Sequence, residues 1–175
     1  SAVHGEAIID VRRIDAQARE LALDAIAFED VEVLRSGGEG GPRACAFRYD
    51  GAVLHVELAD LNDGGEAQLT IRWRCTPRRG LYFLGPDAAV PERPRQVWSQ
   101  GQDQDNRHWF PCLDHPGART KTEVVVTVPD PLFALSNGAL LSRTSNGDGT
   151  TTFHWRLAEP HPSYLVMLAV ADFDE

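Results

Sequence analysis

The chain has few cysteines and no long hydrophobic run. Its three cysteines, Cys45, Cys75 and Cys112, are odd in number and widely spaced, which fits neither a disulfide framework nor a Cys-x-x-Cys zinc site. No apolar segment approaches the roughly 20 residues that a membrane-spanning helix needs. A chain of this length buries enough surface to fold without such cross-links. We therefore expect a chain without a membrane span, and its thiols favour a reducing compartment such as the cytoplasm.

The chain also has no excess of basic residues. Lys and Arg number 17 and Asp and Glu number 26, so the net charge is −9. Such a chain repels phosphate backbones, which argues against nucleic acid as a partner. A hydrophobic share of 42% excludes wholesale disorder, and 175 residues suit one domain, predicted over residues 1–175.

Common catalytic motifs are missing as well. None of the six histidines is followed by Glu and no two are four residues apart, so the chain contains no His-Glu-x-x-His zinc site. It contains no Gly-x-Ser-x-Gly motif and no glycine-rich phosphate loop. His108 and His115 flank Cys112 and Asp114, so a loop metal site or a Cys-His pair is conceivable. A structural role in a proline-framed turn is the preferred interpretation.

The dominant pattern that is present has a period of two. In residues 66–75, apolar side chains alternate strictly with polar ones, which predicts a half-buried strand. The predicted buried face comprises Ala67, Leu69, Ile71, Trp73 and Cys75. The same alternation recurs at residues 54–58, 122–128 and 153–157, and Trp155 joins Trp73 as a predicted core residue.

Shorter strand candidates and turn signals complete the pattern. The additional strands are predicted at 7–11, 21–25, 31–34, 44–49, 135–142 and 164–170. Turn signals occupy 49–51, 62–65 and 146–149, and residues 36–41 form a glycine-rich connection. Many short strands separated by frequent turns predict an all-β antiparallel sandwich.

One segment breaks this rhythm. Residues 85–120 are rich in proline, polar side chains and aromatics, and the part at 98–116 is predicted to be one long functional loop. Trp98 and Trp109 in this loop are too few to argue for a carbohydrate platform.

Ordered motifs in the second half resemble a known family. They are Gly80–Phe83, Trp98-Ser99-Gln100-Gly101-Gln102, Trp109-Phe110-Pro111-Cys112-Leu113-Asp114-His115-Pro116, Lys121-Thr122, Ser136-Asn137-Gly138, Phe153-His154-Trp155 and Tyr164-Leu165. Together they resemble the N-terminal domain of the M1 family of zinc aminopeptidases. Upstream, Gly5-Glu6-Ala7 resembles the second strand of that domain. We therefore expect that a first strand precedes Ser1 and that the chain is trimmed at both ends.

The resemblance implies a saddle-shaped antiparallel sandwich that packs against a catalytic domain of the same chain. That domain would hold the zinc and carry the Gly-x-Met-Glu-Asn and His-Glu-x-x-His motifs. Neither motif occurs here, so the chain alone is expected to be inactive. By resemblance, Gln102 binds the α-amino group of a peptide substrate, and Gln100 helps line the pocket for its first side chain.

Physical chemistry is compatible with these roles. An ammonium group needs rigidly held acceptors, and the Gln102 carbonyl oxygen supplies one. Many members of the family have Glu there, whose charge strengthens such a bond. Three alternatives stay open: Gln100 and Gln102 merely cap a loop, the parent is a scaffold whose catalytic domain has decayed, or the chain is a stand-alone sandwich that binds protein or glycans.

Overall fold

The computed structural model describes residues 1–15, 17–36, 41–59, 61 and 64–173. Their regular structure is strand throughout, apart from two short 3-10 turns at Asn106–His108 and Ser163–Leu165. The strands pair in antiparallel fashion, so the prediction of an all-β antiparallel sandwich is confirmed. No helix in these ranges is long and apolar enough to cross a membrane.

The chain divides into two compact units. The first comprises Ser1–Pro77 and Arg107–Leu113, and the second comprises Arg78–Asn106 and the chain from Asp114 onward. The prediction of a single domain over residues 1–175 stays a prediction.

The first unit contains two antiparallel sheets. Its strands are β1 (Val3–Arg12), β2 (Glu20–Asp24), β3 (Glu29–Ser36), β4 (Arg43–Ala44), β5 (Phe47–Tyr49), β6 (Val53–Glu57) and β7 (Glu66–Cys75). One sheet has the order β1-β7-β3-β4 and the other β2-β6-β5. Leu54 and Val56 of β6 and Leu69 and Ile71 of β7 are fully buried. Burial of each such side chain contributes about 1.5–3 kcal/mol before entropy is counted.

Strand β7 follows its predicted alternation throughout. The five side chains predicted to form the inner face are all buried. On the outer face, Arg72 forms ion pairs with Glu6 of β1 at 2.6 Å and Glu32 of β3 at 3.1 Å. The outer face is thus charged and paired, whereas the inner face forms core.

The second unit also contains two sheets. Its strands are β8 (Gly80–Leu84), β9 (Gln96–Gln100), β10 (Thr120–Pro129), β11 (Phe133–Ser136), β12 (Ala139–Ser145), β13 (Thr150–His161) and β14 (Leu168–Ala171). The orders are β11-β14-β9-β8 and β10-β13-β12. The two sheets meet where Phe133 packs on Phe153 at 4.7 Å between ring centroids and Trp155 Nε1 donates to the Ala134 carbonyl at 2.9 Å. Trp155 is buried as predicted.

Two predicted turns have the expected geometry. At the β12–β13 hairpin, the Asn146 N–H donates to the Thr150 carbonyl at 3.0 Å, and Gly147 and Gly149 have positive φ. At the β5–β6 turn, the Asp50 carboxylate accepts from the N–H groups of Ala52 and Val53. The parts of the other turn predictions that fall at residues 37–40 and 62–63 lie outside the described residues.

Four predicted segments differ from the structure. The strand predicted at 44–49 is split into β4 and β5, and that at 135–142 is split into β11 and β12. The strand predicted at 135–142 is interrupted at Gly138, whose φ is +86° and whose backbone lies against the Arg156 carbonyl. The segment predicted at 164–170 begins as a 3-10 turn. Residues 96–100, predicted as loop, form β9, because hydrogen bonds to β8 and β14 compensate for a weakly apolar sequence.

Candidate functional site

Strand β9 of the second unit contains the first residues of the 98–116 segment. It lies between β14 and β8, with Trp98 opposite Tyr82 and Ala169. Trp98 is 40% exposed and stacks on Tyr82 at 4.6 Å between centroids. The Ser99 hydroxyl accepts a hydrogen bond from the Leu168 N–H at 2.8 Å. The residues before Gln100 are therefore held on both edges.

Gln100 and Gln102, the predicted substrate-binding residues, lie together at the end of β9. Both are exposed. Gln100 Oε1 accepts a hydrogen bond from the Gln102 backbone N–H at 3.1 Å, so Gln100 does cap the start of the loop. The Gln102 side chain has no hydrogen-bond partner within the described part of the chain. Its carbonyl oxygen is thus available as an acceptor.

Between these two residues, the loop makes a close contact that only glycine allows. Gly101 is buried, and a Cβ on it would lie 2.5 Å from Asn106 Nδ2 and 2.7 Å from Asn106 Cγ. The Asp105 N–H donates back to the Gly101 carbonyl at 2.9 Å. The loop after Gln100 therefore folds tightly over the Asn106 side chain.

Asn106 belongs to a buried polar network. The side chain is 0% exposed, and its Nδ2 donates to the carbonyls of Ser163 at 2.6 Å and Val166 at 3.1 Å. The Ser163 hydroxyl donates to Asp114 Oδ1 at 2.6 Å, and Asp114 is 1% exposed. Buried polar groups of this kind are costly unless they are paired, so the paired network fixes the local backbone.

Residues 107–113 belong to the first unit. Asp24 and Cys112 exchange backbone hydrogen bonds of 2.8 and 3.1 Å, and Arg107 pairs with the Asp24 carboxylate at 2.9 Å. The Trp109 carbonyl accepts from Trp73 Nε1 at 3.1 Å, and the Trp109 ring is buried. Trp109 is therefore a core residue here, unlike the exposed Trp98.

The cysteines and histidines were conceivable metal or catalytic residues from the sequence. No group of three His, Cys, Asp or Glu side chains in the described ranges is arranged to hold a metal ion. His115 is exposed, and its Nδ1 accepts from the Gly117 N–H at 3.0 Å. None of the three cysteines forms a disulfide bond, and burial raises the pKa of Cys75 to about 11. Cys75 is a core residue, as predicted, and its raised pKa disfavours the reactive thiolate.

The loop around Gln102 is acidic. Asp103 is exposed next to it, and Asp105 is half-buried with Arg79 at 3.9 Å. An amide oxygen next to an exposed carboxylate suits a cationic ligand such as an ammonium group better than an anion. The Gln102 amide can accept a hydrogen bond at its oxygen and donate at its nitrogen, which is the chemistry of a binding residue.

Sequence reasoning missed two residues that shape this site, Asn106 and Ser163. Asn106 lies in the polar run from Gln100 to Arg107, where nothing distinguishes it from solvated neighbours. Ser163 lies 57 residues from Asn106 along the chain. The one feature of the sequence that points to this contact is Gly101 between two glutamines. A glycine there indicates that the backbone approaches another group closely, but the sequence does not show which group that is.

The chain is similar in sequence and in structure to known proteins. Human aminopeptidase B is 28% identical over 181 residues, which cover 96% of this chain and 27% of that relative. Chicken (Gallus gallus) transcription initiation factor TFIID subunit 2 is 33% identical over 101 residues, covering 56% of this chain and 9% of that protein. A mutant M1 zinc metallopeptidase from Deinococcus radiodurans, solved with a Tyr-Ser-Ala substrate, superposes with a TM-score of 0.76 at 21% identity. It covers 97% of this chain and 38% of that one.

The family resemblance of the motifs is confirmed by these findings. The likeness to the solved structure establishes the fold. This chain spans about a quarter of the length of aminopeptidase B, 27%. The family model described as Peptidase M1 N-terminal domain matches residues 1–165. The chain therefore belongs to the Peptidase M1 N-terminal domain family.

Proposed function

We propose that this chain is the non-catalytic N-terminal domain of a zinc-dependent aminopeptidase, which removes N-terminal amino acids from peptides. In this proposal Gln102 accepts a hydrogen bond from the α-amino group of the substrate, and Gln100 lines the pocket for the first side chain. The partners are the peptide N-terminus and a catalytic domain of the same polypeptide.

One observation carries the proposal. The Gln102 amide is exposed and has no partner in the described ranges, while its backbone is held by the Gln100 cap and by the buried Asn106 beneath Gly101. A binding residue needs this combination of a fixed backbone and an unused acceptor, because ordering a mobile loop on binding reduces affinity. The nearby Asp103 favours a cation at this position.

Zinc would be held by residues outside this chain. The described residues do not fit a zinc site, because their His, Cys, Asp and Glu side chains nowhere converge in a group of three. The chain also lacks the His-Glu-x-x-His pattern. Its part in the reaction is therefore limited to binding and orienting the substrate.

The test is a pair of inhibition assays on the full-length parent. Matched inhibitors with a free and an N-acetylated amine are compared for the parent and for Gln102→Ala. Loss of one neutral hydrogen bond costs about 0.5–1.5 kcal/mol, so binding of the free amine should weaken about two- to tenfold. Gln102→Glu should strengthen it, since a carboxylate near an ammonium is favourable.

Gln104→Ala is the matched control. Gln104 is an exposed glutamine of the same loop, and its removal should leave both inhibition constants unchanged. If Gln102→Ala weakened the free and the acetylated inhibitor equally, Gln102 would not recognise the amine and its proposed role would be wrong.

A second candidate is a scaffold domain in a protein without peptidase activity. It is favoured by the sequence similarity to TFIID subunit 2, a transcription initiation factor subunit. The downstream reading frame of the parent gene separates the two. An intact Gly-x-Met-Glu-Asn motif and His-Glu-x-x-His motif support the peptidase, and their loss supports the scaffold.

A further inference from the structure

Within the 98–116 segment, Asn106 and Asp114 are both hydrogen-bonded to the first residue of the 3-10 turn Ser163–Leu165. The chain leaves the second unit after Asn106 and returns to it at Asp114. Asn106 Nδ2 donates to the Ser163 carbonyl at 2.6 Å, and Asp114 Oδ1 accepts from the Ser163 hydroxyl at 2.6 Å. One residue thus holds both the exit and the return of the segment. We call Asn106, Asp114 and Ser163 the clamp.

The clamp is deeply buried. Asn106 is 0% exposed, Asp114 is 1% exposed and Ser163 is 8% exposed. Hydrogen bonds in such an environment are stronger than at the surface, and a partner that is removed leaves an unsatisfied polar group. The clamp therefore has one favourable arrangement, in contrast to exposed side chains, which adopt several.

The turn that carries Ser163 is itself anchored. The Val166 N–H donates to the Ser163 carbonyl at 2.9 Å, and the Leu168 N–H donates to the Ser99 hydroxyl at 2.8 Å. Ser99 immediately precedes Gln100 in β9. The turn therefore binds Asn106, four residues after Gln102, and the strand β14 that follows it binds Ser99, just before Gln100.

The contact between Asn106 and Gly101 couples the clamp to the backbone of Gln102. The Asn106 side chain occupies the space that a Cβ of residue 101 would need, at 2.5 Å. A shift of Asn106 therefore moves the backbone on which both glutamines are mounted. A displacement of about 1 Å in a substrate-contacting group is enough to lower a rate or an affinity considerably.

We propose that Asn106, held by the carbonyls of Ser163 and Val166, is a positioning residue that through its contact with Gly101 sets the orientation of Gln102 toward the substrate amine. This inference rests on the proposed function of Gln102. Asn106 itself does not contact the substrate in this proposal. Its effect on binding passes through the loop backbone, so it should vanish when the Gln102 side chain is absent.

The experiment is a double-mutant cycle on the full-length parent. The measured quantity is the ratio of inhibition constants for the N-acetylated and free-amine inhibitors. Asn106→Ala removes the side chain beneath Gly101 together with its two bonds to the carbonyls of Ser163 and Val166, and it should lower the amine preference about two- to tenfold, no further than Gln102→Ala does. In the Gln102→Ala background, Asn106→Ala should change the ratio by less than about twofold, because coupled residues are not additive.

Ser136→Ala is the matched control. The Ser136 hydroxyl is buried and donates at 2.6 Å to the Met167 carbonyl, in the same stretch of chain, and among the described residues it forms no hydrogen bond with the 98–116 segment. Ser136→Ala should lower stability and leave the amine preference unchanged. Gly101→Ala perturbs the contact with Asn106 from the loop side and should mimic Asn106→Ala, which keeps the test decisive if Asn106→Ala does not fold.

The outcomes are distinguishable. An unchanged amine preference in both Asn106→Ala and Gly101→Ala, with a clear loss in Gln102→Ala, would overturn the positioning role of Asn106 and leave the proposed function intact. Equal losses in Ser136→Ala and Asn106→Ala would also overturn it, because general destabilisation would then be the cause. An unchanged preference in Gln102→Ala itself would overturn the proposed function and the clamp's role with it.

Discussion

Replacing Gly101 by alanine is the sharpest test of how the loop is built. The new Cβ would lie 2.5 Å from Asn106 Nδ2 and 2.7 Å from Asn106 Oδ1. Ordinary contact begins near 3.4 Å, so the Asn106 amide or the loop must move by about 1 Å. Asn106 is 0% exposed and its Nδ2 is bound to two carbonyls, so moving it disrupts buried hydrogen bonds.

The expected cost follows from what that movement disrupts. The two hydrogen bonds from Asn106 to Ser163 and Val166 contribute about 0.5–1.5 kcal/mol each. Overpacking a buried site adds about 1–3 kcal/mol of strain, part of which relaxes. We expect Gly101→Ala to lower the free energy of unfolding by about 2–4 kcal/mol. With a slope of about 2 kcal/mol per molar urea, the midpoint should fall by about 1–2 M.

The assay is urea unfolding followed by tryptophan fluorescence. Gly85→Ala is the control, because a Cβ there meets only Arg95 Cγ at an ordinary 3.7 Å. Its effect should stay within about 0.5 kcal/mol. In an Asn106→Ala background the space is open, so Gly101→Ala should cost less than about 1 kcal/mol. If Gly101→Ala were as mild as Gly85→Ala in the unmodified chain, the close packing of Gly101 on Asn106 would be refuted.

Three further predictions concern the catalytic activity of the isolated chain, the reactivity of Cys75 and the charge of Glu20. The isolated chain should fold and should not hydrolyse aminoacyl-anilides, with or without added zinc; chelator-sensitive turnover would contradict this. With a pKa of about 11, Cys75 should be alkylated at pH 8 about 100-fold more slowly than a thiol of pKa 9.0, as mass spectrometry of native and unfolded samples would show. The hydrogen bond from His55, with charges on His55 and Arg48, lowers the pKa of Glu20 below 4.5. The ionised Glu20 carboxylate therefore stabilises the fold above about pH 4.5, and this stabilisation is lost as the pH falls through the lowered pKa. Glu20→Gln should accordingly reduce the free energy of unfolding at neutral pH and have no effect in acid. A reduction that does not depend on pH would refute the role of the Glu20 charge.

Local alternation was sufficient to predict most of the strands and their buried faces. In β7 the inner residues, from Ala67 to Cys75, are buried as predicted, since side chains on a strand point to opposite faces in turn. The same reasoning holds in β10, where Val124 and Val126 are half-buried and Val125 is 64% exposed. The hairpin at Asn146–Gly149 was equally predictable, because Asn and Gly tolerate the backbone angles of tight turns.

The candidate site depended on contacts that leave no local pattern. Trp98 and Trp109 belong to one aromatic segment, yet the first is exposed and the second is buried, because residues 107–113 pair with β2 in the first unit. Strand β9 exists because β8 and β14 flank it. Asn106 and Asp114 meet Ser163 from 57 and 49 residues away. Periodicity reports which face of an element is buried, but only the folded chain decides which distant polar groups satisfy each other in its interior.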